Sequence, residues 1–263
     1  MYKFLTFLLL IAYVQSRTLP RAPIATKAEC SNFQPAERFD CHPEDNANQE
    51  ACEARGCCWV TKKETDIDTK LPAPGVPTCY YPRNYGGYEW INITEVDNGV
   101  VAYLQRTFQS AYPRDVQTLR LDVEYQTNDR VRVKISDAVN KRWESIYPKN
   151  PSRYMKAADN PNYDVVVDIQ HLGFIVRRKD GTELFNSQDL GALIFADQFL
   201  QISGRFNGDI FGIGEERTTF NLNKDWTRFT IFNAGQPPAN GVSKSLIKNY
   251  NSSFGNFNHL PQF

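Results

Sequence analysis

The sequence predicts a mainly β protein in two unequal parts: a small disulfide-rich module, then a larger antiparallel β-sandwich or barrel. Three observations carry this expectation. All six cysteines of the 263-residue chain fall between Cys30 and Cys79. From Tyr88 onward, short runs alternate apolar with polar residues, the period-two pattern of half-buried strands. No long stretch shows the helical period.

At the N-terminus, Met1-Tyr2-Lys3 precedes an apolar run from Phe4 to Val14, followed by Gln15-Ser16. One early positive charge, a short apolar core and a small residue read as a secretory signal, residues 1–16, cleaved after Ser16. The run is too short for a membrane anchor, which needs about 20 apolar residues. Residues 17–28 contain Pro20 and Pro23 and no apolar period, and read as a linker.

The cysteine module follows, residues 29–84. Ten residues separate Cys30 from Cys41, ten separate Cys41 from Cys52, four separate Cys52 from Cys57, and none separates Cys57 from Cys58. In an exported chain, clustered cysteines in a segment too small for a sizeable core read as a disulfide framework. Each bridge stabilises such a domain by roughly 2–4 kcal/mol. Spacing alone leaves all 15 pairings open. Zinc ligation would need ligand pairs two to four residues apart, and only Cys57 and Cys58 are close. The charged run Lys62-Lys63-Glu64-Thr65-Asp66 reads as a solvated loop.

The larger part, residues 85–238, opens after Gly86-Gly87. Strands are expected at Tyr88 to Thr94, Leu119 to Tyr125 and Val131 to Ile135, the last two a hairpin around Asn128-Asp129. Tyr163 to Gln170 and Gly173 to Arg178 form a second expected pair. Shorter strands are expected at Leu184-Phe185, Leu193 to Phe195, Phe199 to Ile202 and Ile210 to Ile213. Many short strands mean a sandwich or barrel. Residues 239–263 are rich in Asn, Ser and Lys with scattered aromatics. They are expected to be disordered, because they bury too little to offset ordering costs of roughly 1–2 kcal/mol per residue.

Two resemblances sharpen this reading. Arg38-Phe39-Asp40-Cys41 and Cys57-Cys58-Trp59, at these spacings, resemble the P-type (trefoil) domain. The resemblance implies the pairs Cys30–Cys58, Cys41–Cys57 and Cys52–Cys79. Asn48 departs from the Ser or Thr usual four residues before the third cysteine. Downstream, Asp137 to Glu144, Gly173 to Arg178, Leu193 to Ser203 and Phe211 to Glu216 resemble, in that order, the N-terminal β-sandwich of family 31 glycoside hydrolases. A trefoil directly before this galactose-mutarotase-like sandwich is the arrangement of the family's trefoil-bearing α-glucosidases.

That family hydrolyses glycosidic bonds with two carboxyl groups, about 5–5.5 Å apart in retaining enzymes. The resemblance places both on a (β/α)8 barrel of roughly 250 residues or more that follows the sandwich. No Trp-x-Asp-Met-Asn-Glu nucleophile motif occurs here, and no catalytic residue is expected in this chain. A sandwich loop of the related enzymes that reaches the sugar carries Arg and Asp where this chain has Ala234 and Gly235. His42, His171 and His259 are joined by no motif. Gly212-Ile213-Gly214 lacks the spacing and the following helix of a nucleotide loop.

The expectation is therefore a secreted or lysosomal-lumen, non-catalytic trefoil and sandwich protein. It would take carbohydrate or a glycoprotein as partner, with Trp59 and Pro43 as candidate sugar contacts. The bland reading of Trp59 is packing on the disulfides. Two alternatives stand beside it: a truncated product of a full α-glucosidase, and a mucosal interaction protein acting through the trefoil. Asn92-Ile93-Thr94 and Asn251-Ser252-Ser253 are glycosylation sequons. With 30 basic and 30 acidic residues, nothing favours nucleic acid. No cofactor or metal is expected. Removal of a barrel should also expose an apolar side near Phe211, Trp226, Phe229 and Phe232.

Overall fold

The computed structural model describes residues 19–33, 37–44, 46–60, 76–83, 85–144, 160–188, 190, 192–197 and 199–208. It also describes the backbone of three later strands within 227–259. The signal reading, the run from Lys62, Gly212 to Gly214, Ala234, Gly235 and Asn251 lie outside the described residues. So do the side chains of Phe211, Trp226, Phe229 and Phe232.

The chain is mainly β and antiparallel. In the cysteine module a short helix, α1 (Gln49–Ala54), precedes two paired strands, β1 (Cys58–Trp59) and β2 (Cys79–Tyr80). Four strands then form the first large sheet in sequence order: β3 (Tyr88–Val96), β4 (Gly99–Arg106), β5 (Thr118–Thr127) and β6 (Arg130–Asp137). The second sheet contains β7 (Tyr163–Val166), β8 (Ile175–Arg178), β9 (Glu183–Asn186), β10 (Ile194–Phe195) and β11 (Leu200–Phe206). It is continued by β12 (Thr227–Phe229), β13 (Ser245–Lys248) and β14 (Ser253–His259). Its order is β12-β13-β14-β11-β9-β8-β7, with β10 also paired to β11.

The expected hairpin is β5–β6, with Leu121 opposite Ile135 and Val123 opposite Val133. The second expected pair is β7–β8, with Val165 opposite Val176. These strands are shorter than the apolar pattern suggests. Asp168 Oδ1 accepts hydrogen bonds from the backbone nitrogens of Gln170 and His171, at 2.8 and 3.1 Å, and so turns the chain there. Strand β4 was not expected. Its Val100-Val101-Ala102 run hides the alternation, yet Val100, Ala102 and Leu104 all point inward and are buried. Gly99 starts it at φ +146°, where an added Cβ would sit 1.8 Å from the Val123 carbonyl oxygen, so only glycine fits.

Between the sheets lies the sandwich core. Leu119, Leu121 and Val123 of β5 join Val100, Ala102 and Leu104 of β4; Phe174, just before β8, and Val176, Phe185 and Phe195 of the second sheet complete it. Each fully buried Leu or Val adds roughly 1.5–3 kcal/mol.

A second core belongs to both parts of the chain. Phe39, Cys41, Cys52, Cys57, Cys79 and Tyr81 of the cysteine module pack with Ala192, Ile194, Ala196 and Phe199 of the sandwich. Gln201 of β11 is wholly buried between them. It accepts from the Tyr81 hydroxyl at 3.1 Å and donates to the Asp40 carbonyl at 3.4 Å. The reading of residues 17–28 as a linker also changes where they are described. Arg21 bridges to Gln109, whose backbone nitrogen donates to the Pro20 carbonyl at 2.8 Å.

Where the tail is described, at Ser245–Lys248 and Ser253–His259, it forms strands in place of the disorder expected there. Strand β14 pairs with β11 from Leu200 opposite His259 to Phe206 opposite Ser253, and β13 pairs with β14. The physical reason is that an open strand edge offers backbone partners to a chain of almost any composition. Side-chain pattern, which motivated the expectation, does not report such pairing.

Candidate functional site

The cysteine module is built locally before it is bridged. Asn48 caps α1, its side-chain oxygen accepting from the Ala51 nitrogen at 2.9 Å. Asn serves as an N-cap as well as Ser does, so the departure noted at this position preserves the local structure. Gly56, at φ +74°, follows the helix, and its nitrogen donates back to the Glu53 carbonyl at 2.9 Å. Cys57 directly precedes β1 and its nitrogen donates to the Cys52 carbonyl at 3.2 Å, while Cys58 opens the strand, so the two sulfurs reach different partners. Three disulfides result: Cys30–Cys58, Cys41–Cys57 and Cys52–Cys79, with Cα separations of 5.5, 6.5 and 5.7 Å.

Trp59 stands opposite Cys79 and is half-buried, packed against the core that contains Cys41, Cys52, Cys57 and Cys79. Pro43 is also half-buried and follows a tight turn, in which Asp40 Oδ1 accepts from the His42 nitrogen at 2.9 Å. Beside this turn, Arg55 Nη1 donates to Glu44 Oε2 at 2.9 Å and to the Cys41 carbonyl at 3.0 Å. His42 Nδ1 lies 3.2 Å from the same carboxylate oxygen.

The electrostatics of this turn hold its carboxylate in the ionised form. Burial alone would raise the Glu44 pKa, but the hydrogen bond and charge of Arg55 outweigh it and hold the carboxyl below its ordinary value. Burial likewise opposes the charge of Arg55, and Glu44 more than compensates, raising its pKa. A carboxylate so held is a poor proton donor near neutrality. Among the described residues, no group of three or more His, Cys, Asp or Glu could hold a metal ion.

Behind the turn lies the seam with the sandwich. The Arg55 guanidinium sits 5.6 Å from the Tyr112 ring centroid, and Tyr112 stacks on Phe199 at 3.6 Å and 10°. The Tyr85 hydroxyl donates to the Arg55 carbonyl at 2.9 Å, and burial pushes its pKa up to about 12. Arg106, buried at the end of β4, donates from Nε to the Phe108 carbonyl at 2.7 Å and from Nη1 to the Leu193 carbonyl at 3.2 Å. Its Nε lies 3.9 Å from Asp115 Oδ1, and its guanidinium 4.8 Å from the Tyr88 ring centroid. Sequence reasoning missed this seam. One signal existed: Arg106 follows Val100, Ala102 and Leu104 in the inward register of β4.

Asn92 is exposed on β3, next to a bulge after Trp90, with its side-chain nitrogen 3.1 Å from Thr94 Oγ1. No helix among the described residues is long and apolar enough to cross a membrane.

Comparison with known proteins agrees with this architecture. Residues 30–82 match the trefoil (P-type) domain. The chain is 36% identical over 232 residues to the lysosomal alpha-glucosidase of Mus musculus, covering 88% of this chain and 24% of that protein. It is 37% identical over 220 residues to the lysosomal alpha-glucosidase of Rattus norvegicus, covering 83% and 22%. It is 33% identical over 214 residues to the intestinal sucrase-isomaltase of Oryctolagus cuniculus, covering 78% and 11%. The chain thus spans a quarter or less of the length of these curated relatives, in their N-terminal regions.

Proposed function

We propose that this chain, which carries a trefoil domain and is similar to the N-terminal region of family 31 α-glucosidases, is a non-catalytic carbohydrate-binding unit of the secretory route. The observation that carries the reading is the joint core. The similarity runs across trefoil and sandwich, and these two are packed as one body through Phe39, Tyr81, Phe199 and their neighbours. A rigid body of this kind presents side chains without paying to order them on binding. Trp59 and Pro43 on the trefoil offer an aromatic and a pyrrolidine face to a sugar ring. A glycan at Asn92, on the exposed β3, fits an exported protein. The test is a glycan array probed with the purified chain. Retention of α-linked glucose oligomers is expected, and retention of no glycan would overturn the reading.

A second reading is favoured by the same similarity: the residues form the N-terminal part of a complete α-glucosidase, in which they support a catalytic domain. The genomic sequence beyond the codon for residue 240 decides between the two. A barrel-encoding stretch in frame would favour the enzyme.

A further inference from the structure

On the sandwich, away from Trp59, lies a cleft of about 370 Å³ whose walls include Arg114, Gln117, Asp137, Asn140, Arg142 and Asp197. We propose that this cleft binds a neutral saccharide, with Trp143 as the stacking platform beside it. The proposal rests on the carbohydrate-binding reading and adds a second location to it.

Three features argue for a neutral, hydroxyl-rich ligand. First, the charges are matched. Asp197 faces both Arg114 and Arg142, the latter with Nη2 at 3.9 Å from Oδ1. The Asp137 carboxylate accepts from the Val139 and Asn140 nitrogens at 2.9 Å each and from Asn140 Nδ2 at 3.1 Å. Asp115, also in the wall, has Arg106 behind it. An anion would meet the Asp137 and Asp197 carboxylates and a cation the two guanidiniums, whereas hydroxyl groups can donate to the first and accept from the second.

Second, the walls are held in place. Arg142 donates from Nη1 to the Ala196 carbonyl at 3.2 Å and from Nη2 to the Asp197 carbonyl, and lies over the Phe195 ring at 5.1 Å. These contacts tie the turn after β6 to the strand pair β10–β11. Such fixed polar groups reduce the ordering cost of binding.

Third, apolar surface is placed beside the polar groups. Val139 is a wall residue and is 42% exposed, and Trp143, directly after Arg142, is 87% exposed. An exposed tryptophan one residue on from the wall residue Arg142 suits the C–H face of a sugar ring that extends out of the cleft. It also gives a role to an aromatic side chain that stands in water while the other aromatics of the sandwich, among the described residues, are buried or half-buried.

The test is a titration of the full chain with maltotriose, followed by backbone amide NMR shifts. Shifts at Gln117, Asn140 and Arg142 are expected, and Trp143→Ala, on a side chain the fold does not need, should weaken binding there about tenfold. Shifts confined to the neighbourhood of Trp59 and Pro43, unchanged by Trp143→Ala, would overturn the cleft and leave the carbohydrate-binding reading standing. No shift anywhere, up to millimolar maltotriose, would overturn both. A heparin disaccharide that shifts the cleft amides when maltotriose does not would overturn the neutral class of ligand.

Discussion

Phe199→Ala tests whether trefoil and sandwich form one cooperative body. Phe199 is 5% exposed, stacks on Tyr112 at 3.6 Å, and lies in the core shared with Phe39, Cys41 and Tyr81. Its truncation removes most of a buried aromatic and leaves a cavity that the disulfide-bound side cannot collapse to fill. Such replacements cost about 3–5 kcal/mol. For a chain of this size, each kcal/mol lowers Tm by roughly 2–4 °C, so a drop of roughly 6–20 °C is expected. Phe199→Leu, which keeps most of the volume, should cost less than about 1.5 kcal/mol. Urea denaturation gives the loss, and hydrogen exchange locates it. Because the core is shared, peptides from Cys52 to Val60 and from Val100 to Leu104 should both lose protection. A loss below about 1 kcal/mol, or a change confined to the sandwich peptides, would refute the shared core.

Three other outcomes follow from the same geometry. Arg106→Met strips the buried Asp115 carboxylate of its cation and leaves the Phe108 and Leu193 carbonyls without their donor, at a cost of about 3–5 kcal/mol by denaturation. Adding Asp115→Asn should recover part of this, and no recovery would show that the pair is not coupled. The lowered pKa of Glu44 makes its contribution full above the ordinary value of 4.5 and progressively lost as pH falls through the lower folded value. Tm profiles from about pH 3 to 7 should therefore be flatter on the acid side for Glu44→Gln than for the native chain, and parallel profiles would exclude the effect. Deleting residues 239–263 removes β13 and β14 and leaves one edge of β11 unpaired, so the amides of Leu200–Phe206 should exchange faster. Unchanged exchange there would show that the tail does not hold the edge.

Much of the fold is legible in the sequence because its determinants are local. Period-two alternation marks β5 and β6 directly, and cysteine spacing with Cys57-Cys58-Trp59 marks the trefoil. Strand β4 escaped because three apolar residues in a row obscure which side faces in. The seam escaped for a different reason. Gln201 meets Tyr81 and Asp40 across a sequence distance that no local pattern encodes, and Tyr112 meets Phe199 in the same way. A break at Gly86-Gly87 looks like a domain boundary in composition. In three dimensions Gly87, at φ +103°, lets the chain pass close to Arg106, whose Nη1 would be 3.2 Å from an added Cβ. The candidate site was legible only in part. Trp59 stood out by its motif, whereas Arg142 and Asp197 lie 55 residues apart in the chain and become neighbours only through folding.

The most direct test of the account is saturation-transfer NMR of maltotriose with the purified chain, followed over hours while the sugar's anomeric signals are recorded. The account predicts transfer from protein to sugar with the trisaccharide intact throughout. Glucose released at a rate that survives repurification of the chain would contradict it, as would the absence of any transfer.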